Sequence, residues 1–218
     1  MNYFIIDYDS TFIKVESLDE LFMISNGPDK NTKKKFTEIT RLGMEGKISF
    51  SESLNKRIKL INSNKDDIHK TIKKLDKQIS VSFKKNISFL RENSENIVII
   101  SSGFHELIDP IVLKYGIKKE NIYANRFLYE NEKIIGYDKN NPLSKSHGKV
   151  KIIKELNLKG VIHVIGDGYT DYEIKKEGLA NYFYLFTENI KRESVAKSAD
   201  YLLKSLDQFI NIVKWKNF

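Results

Sequence analysis

Four largely apolar residues running straight into a pair of acids constrain this chain most: Tyr3-Phe4-Ile5-Ile6 is followed at once by Asp7-Tyr8-Asp9-Ser10-Thr11. A short continuous apolar run reads as a strand buried on both faces. Carboxylates at the end of such a strand are costly unless a partner offsets their charge, and a divalent cation is a common one. If the chain leaves the strand in a tight loop, Asp7 and Asp9 face one small site. The intervening N–H groups then form a nest suited to phosphate. The same stretch is also compatible with a strand and an ordinary polar turn, because Asp and Ser are frequent turn residues.

Two later runs have the same form. Ile97-Val98-Ile99-Ile100, β-branched throughout, ends in Ser101-Ser102-Gly103. Residues 161 to 165 end in Gly166-Asp167-Gly168-Tyr169-Thr170-Asp171. After residue 80 strands and helices alternate, with helices expected over 82–93, 104–115 and 149–156 and a small hairpin over 126–138. This alternation predicts an open parallel sheet covered on both faces. Residues 14–80 contain no convincing buried strand. Helical spacing is read over 16–24, 31–42, 49–61 and 66–75, with Asn26-Gly27-Pro28 ending the first, Gly43 and Gly46 bracketing a turn at Met44, and a capping box at Ser49 and Glu52. These residues form a helical unit inserted between the first strand and the rest.

Ligands of open α/β sheets bind outside the carboxyl ends of the strands. A parallel sheet therefore brings Asp7, Asp9, Ser101, Ser102, Asp167 and Asp171 to one edge, with Lys149 at the head of a nearby helix. Four crowded acids require cations, and one Mg²⁺ with one lysine offsets most of the charge. Each cluster alone also reads as a plain strand-to-helix turn, and Lys149 alone as a surface lysine. Their order and placement together make the signal.

Composition removes several classes. With 218 residues, 40% hydrophobic and 30% charged, the chain reads as one large globular domain or a domain with an insertion. It has no cysteine, so disulfides, thiolate catalysis and Cys-type zinc sites are excluded. No apolar run approaches a membrane span and no leader is seen, so a cytoplasmic protein without a membrane partner is expected. The formal net charge is +8, but the lysines are scattered. The only triple, Lys33-Lys34-Lys35, lies outside any aromatic-rich motif, so no nucleic-acid partner is expected.

The four ordered segments, Asp7-Tyr8-Asp9-Ser10-Thr11, Ser101-Ser102-Gly103-Phe104, His147-Gly148-Lys149 and Gly166 to Asp171, resemble the motifs of the haloacid dehalogenase superfamily. Further stretches at 16–21, 44–50, 53–57 and 124–126 are similar to phosphoserine phosphatases, so the resemblance spans nearly the whole chain. It implies a Rossmann-like α/β core, residues 1–13 and 81–218, with an all-helical cap, residues 14–80, inserted after the first strand. It also implies a Mg²⁺-dependent phosphomonoester hydrolase acting through an aspartyl-phosphate, with L-phosphoserine as the expected substrate and serine synthesis as the setting. The alternative is the same chemistry on another small phosphorylated metabolite. A monomer or homodimer is expected.

Carried onto this chain, the resemblance makes Asp7 the nucleophile and Asp9 the general acid and base. Mg²⁺ falls to Asp7, the carbonyl of Asp9, and Asp167. Ser101 and the amides of Asp9, Ser10 and Ser102 hold phosphoryl oxygens, and Lys149 neutralises charge with Asp171 orienting it. Glu16 and Arg57 receive the substrate's ammonium and carboxylate, Met44 and Phe50 close over it, and Thr170 contributes to its binding. The chain departs from the pattern at Ser102, where phosphoserine enzymes usually have glycine, and at Tyr8, usually phenylalanine. Two other classes make different predictions: a receiver domain would accumulate phosphoprotein without turnover, and a nucleic-acid binder would show salt-dependent affinity for generic DNA or RNA.

Overall fold

The computed structural model describes residues 1–27, 29–44 and 47–216, except the side chains of Met44 and Lys216. The expected contributions of Pro28 and Gly46 to turns, and of the Met44 side chain to the site, lie outside the described residues. Strand β1 (Asn2–Ile6) is the third of six strands and pairs in parallel with β2 (Ile97–Phe104) on one side and β6 (Val161–Gly166) on the other. Beyond β2 lies β3 (Ile122–Asn125). Beyond β6 lie β7 (Tyr182–Phe186) and β8 (Tyr201–Leu203), all parallel.

Side chains alternate across the sheet because the strand repeat is two residues. One face sends Phe4, Ile6, Ile97, Ile99, Ile165 and Tyr184 into the larger core cluster. That cluster also takes residues of α5 (Val81–Lys85), α6 (Ile87–Glu92), α7 (His105–Val112) and α11 (Leu206–Lys216). The other face sends Ile5, Val98, Ile100, Val164 and Phe183 against α8 (Gly148–Leu156), α9 (Tyr169–Lys176) and α10 (Glu193–Ala196).

Between β1 and α5 come four helices: α1 (Ser17–Ser25), α2 (Lys30–Met44), α3 (Phe50–Ile58) and α4 (Lys65–Leu75). The linkers into and out of this insert run antiparallel. Ile13 bridges Ile79, the Lys14 amide donates to the Gln78 carbonyl at 2.7 Å, and the Ser80 amide donates to Phe12 at 3.0 Å. A second attachment is the antiparallel pair β4 (Phe127–Glu130) and β5 (Lys133–Tyr137), where the Ile134 amide donates to the Ser63 carbonyl at 2.9 Å.

One expectation is corrected. The amphipathic pattern over 82–93 is two helices, α5 and α6, rather than one. They break at Asn86, whose side-chain amide donates to the Ser82 carbonyl at 2.8 Å. The Asn86 backbone amide reaches the same carbonyl at 3.1 Å, and the chain leaves the helical region at this residue, φ −104° and ψ 34°, although the apolar periodicity continues. Among the described residues no helix is long and apolar enough to cross a membrane.

Candidate active site

Register decides what meets at the carboxyl edge. Ile6 lies level with Ile165 on one neighbour and Ile99 on the other, so the residues after each strand emerge together. The Asp7 amide is still bound to the sheet, donating to Ile165 at 3.0 Å. Above this edge lies a cavity of about 530 Å³. Asp7, Asp9, Ser101, Ser102, Lys149 and Asp167 line it from the sheet side, Thr170 stands at its wall, and Glu16, Phe50 and Arg57 face in from the insert.

At the floor, Lys149 is buried and sits between two carboxylates, 2.7 Å from Asp7 Oδ1 and 2.8 Å from Asp171 Oδ1. Burial alone would lower its pKa, but Asp171 and Asp7 outweigh it and hold the ammonium above its ordinary value. Asp171 also accepts from the Gly168 amide at 3.1 Å through Oδ2. Its side chain packs so closely on Gly166 that a Cβ there would come within 2.1 Å of Asp171 Cγ, so only glycine fits. His147 heads the same helix with φ 59° and places Nδ1 3.0 Å from Glu173 Oε1.

Asp7, Asp167 and Asp171 are all buried, and each offers an oxygen within 4.8 Å of the others. Burial, then the charge of Asp171, pushes Asp7 well above the usual carboxylate range, although Lys149 opposes this. Burial likewise pushes Asp167 up to about 6 against the pull of Arg192. Three acids thus share two cations and remain under-compensated. A donor set of buried carboxylate oxygens with unbalanced negative charge fits a hard divalent cation.

After Asp7 the chain makes one wide turn, in which the Ile13 amide reaches back to the Tyr8 carbonyl at 3.0 Å. The Tyr8 ring is buried, and its hydroxyl donates to Leu107. Asp9 Oδ1 accepts from the Ser17 amide at 2.7 Å, which anchors the acid to the head of α1. Burial and the neighbouring Glu16 raise Asp9 to about 7, against the Ser17 hydrogen bond.

Ser10, at φ 53°, turns its amide onto the Val15 carbonyl at 3.2 Å, and its hydroxyl donates to Glu16 Oε1 at 2.7 Å. Ser101 Oγ accepts from the Gly103 amide at 3.0 Å. The Ser102 carbonyl is held by the Asn125 amide at 2.9 Å, leaving the Ser102 side chain half-buried at the cavity wall.

On the insert side Arg57 is nearly enclosed. Its Nη1 lies 3.8 Å from Asp19, and its Nε is buried without a hydrogen-bond partner among the described residues. Burial lowers the guanidinium, opposed by Asp19 and Glu16, and burial raises Asp19 to about 6. Arg192 was not anticipated from sequence. Its Nε donates to Asp167 Oδ2 at 2.7 Å, and its Nη2 lies 3.7 Å from Glu16 Oε1, so it spans the sheet side and the insert side. It stands at the N-terminus of α10, within a stretch expected to be helical over 190–197, and no motif marks it as a site residue.

Similarity to known proteins agrees with this geometry. A family model for haloacid dehalogenase-like hydrolases matches residues 4–174. The chain is 33% identical over 209 residues to a chloroplastic phosphoserine phosphatase of Arabidopsis thaliana, covering 94% of this chain and 69% of that one. It is 31% identical over 201 residues to a phosphoserine phosphatase of Homo sapiens, covering 90% and 86%. A phosphoserine phosphohydrolase-like protein from Francisella tularensis subsp. tularensis SCHU S4 superposes with TM-score 0.86 at 30% identity, covering 98% of this chain and all of that one. A substrate-bound phosphoserine phosphatase complex superposes with TM-score 0.77 at 23% identity over 97% of this chain and 98% of that one, a likeness of fold.

Proposed function

The chain belongs to the haloacid dehalogenase-like hydrolase family, and on that premise we propose that it is a Mg²⁺-dependent phosphatase converting L-phosphoserine to L-serine and phosphate. One observation carries the reading: a single cavity sets the Asp7–Lys149 pair opposite Glu16 and Arg57. A nucleophilic carboxylate on one wall faces an acid and a guanidinium on the other. Those two groups match the ammonium and carboxylate of an amino acid.

In this reading Asp7 attacks phosphorus, so that a bond to its carboxylate oxygen forms as the bond to the serine oxygen breaks. Asp9 gives its proton to that oxygen, which leaves as an alcohol, and a pKa near 7 suits a group that must both give and take a proton. Water then attacks the aspartyl-phosphate, Asp9 takes the proton back, and phosphate departs. Lys149 favours the anionic form of Asp7, as a bound cation would in addition, and offsets charge on the transferring group, while Asp171 fixes the lysine. Mg²⁺ would be held by Asp7, Asp167 and the Asp9 carbonyl, and when bound it supplies positive charge to the phosphoryl oxygens. Ser101 and the Ser102 amide hold phosphoryl oxygens, and residues 14–80 act as a cap that excludes water, with Phe50 at its inner face.

Steady-state kinetics on phosphorylated amino acids, acids and sugars tests the proposal. Phosphoserine should give the highest kcat/KM. Arg57→Ala should raise its KM by roughly tenfold or more while changing a simple aryl phosphate much less, because only phosphoserine has a carboxylate to lose. Phosphoserine performing no better than the aryl phosphate would overturn it. Ser102, half-buried in the cavity where relatives' pattern has glycine, favours as a second reading another small phosphate ester that accepts its hydroxyl.

A further inference from the structure

Asn189 lies in the connection between β7 and α10, on the far side of the turn that carries Asp9. Its side-chain nitrogen is 3.1 Å from the Ser10 carbonyl, 3.2 Å from Thr11, 3.3 Å from Ile13 and 2.7 Å from Ser80 Oγ. Carbonyls only accept, and the Ser80 hydroxyl already donates to Thr11 at 2.6 Å, so all four neighbours accept from the amide. Two N–H hydrogens are shared among four oxygens from two distant stretches of chain.

The held turn needs such support. Ser10 is a non-glycine residue at φ 53°, a conformation that persists only where surroundings over-determine it. Asp9 immediately precedes it. Ser80 lies on the linker returning from the insert, so the same amide joins the Asp9 turn to that linker. Asn189 is itself fixed from both sides. Thr187 donates through its amide and hydroxyl to the Leu203 carbonyl at 2.7 and 2.9 Å, and Arg192 reaches Asp167.

We infer that Asn189 is a positioning residue for the general acid: by gripping the carbonyls of Ser10, Thr11 and Ile13 together with Ser80, it holds Asp9 in line with the leaving oxygen. This rests on the proposed role of Asp9. An alkoxide such as that of serine needs a proton to depart, whereas p-nitrophenolate does not. Misplacing Asp9 therefore slows phosphoryl transfer from an alkyl ester more than from the aryl ester.

The test is kcat/KM for phosphoserine and for p-nitrophenyl phosphate in Asn189→Asp, which keeps the side chain's size but turns its donors into acceptors, and in Asn189→Ala. The expected loss is roughly hundredfold on phosphoserine and under tenfold on the aryl ester. Both esters are read on one preparation, so the ratio is unaffected by the fraction of folded protein; if Asn189→Asp does not fold, Asn189→Ala decides. Equal losses on both esters, or none, overturn the inference. Asp9→Asn separates the two levels. If it is selective and the Asn189 variants are not, only the Asn189 role falls. If Asp9→Asn is itself unselective, the mechanism falls and the inference with it. Should the wild type reject phosphoserine, the substrate reading fails, and the same ratio on the best alkyl phosphate of the panel, glycerol phosphate included, decides Asn189.

Discussion

The two walls of the cavity are built differently. On the sheet side charged groups are in direct contact: buried Lys149 touches Asp7 and Asp171 within 2.8 Å, and the partly exposed Arg192 touches Asp167 at 2.7 Å. On the insert side Arg57 stands 3.8 Å from Asp19 with its Nε unpaired, and other ion pairs of the insert, such as Lys56 with Glu52, lie about half exposed. The sheet side is finished before substrate arrives. On the insert side the Arg57 Nε is uncommitted among the described residues, as the proposed recognition of a carboxylate requires. A bond-making centre needs preorganised charge, whereas a recognition surface needs groups the ligand can satisfy.

The largest expected effect breaks the finished wall. Lys149→Met leaves three crowded carboxylates with Arg192 alone. Turnover should fall at least hundredfold, and the protein should lose about 3–5 kcal/mol at neutral pH, as when one partner of a buried pair is removed. Denaturant unfolding checks this, and most of the loss should disappear near pH 5, where the acids can take protons. A stability loss that is the same at both pH values would contradict the charge account.

A middle-sized effect concerns pH. Asp9 is raised to about 7 and Asp167 to about 6, both by burial first, and Asp7 is raised as well. Carboxyls with raised folded pKa bind more protons folded than unfolded between about pH 4 and 7, so their contribution to stability is full below pH 4 and is lost as pH rises to 7. In EDTA the melting temperature should therefore fall across that window. Added Mg²⁺ should flatten the fall, because a bound cation favours the charged carboxylates. A melting temperature independent of pH in EDTA would show that the cluster is not under-compensated.

The smallest effect comes from the exposed pair of the insert. Lys56→Ala should change stability by under about 0.5 kcal/mol, since a half-exposed i,i+4 pair is screened by water and salt. A change as large as that for Lys149→Met would erase the distinction between the walls.

The same division explains what could be read from sequence. β1, β2 and β6 are apolar runs with β-branched residues, and each ends in polar residues, so Asp7, Ser101, Asp167 and Asp171 were visible as strand-end clusters. Lys149 was visible because a glycine and a helix place it. The bonds Ser10 makes to Val15 and Glu16 are not legible in the sequence, because they depend on a left-handed turn that a serine does not announce. Arg192 and Asn189 are not legible as site residues because the contacts that give them meaning reach to residues 10–16 and 167, which no local pattern announces. The break at Asn86 is hidden because the apolar spacing of α5 continues into α6 while a single residue leaves helical φ and ψ.

The most direct test of the central claim is to trap the phosphorylated protein. Mixing excess phosphoserine with the Mg²⁺-loaded enzyme, quenching in acid within the first turnovers and mapping peptides by mass spectrometry should place one phosphoryl group on Asp7. Asp7→Asn should remove both the label and turnover. A phosphoryl group on another residue, or turnover retained in Asp7→Asn, would contradict the account.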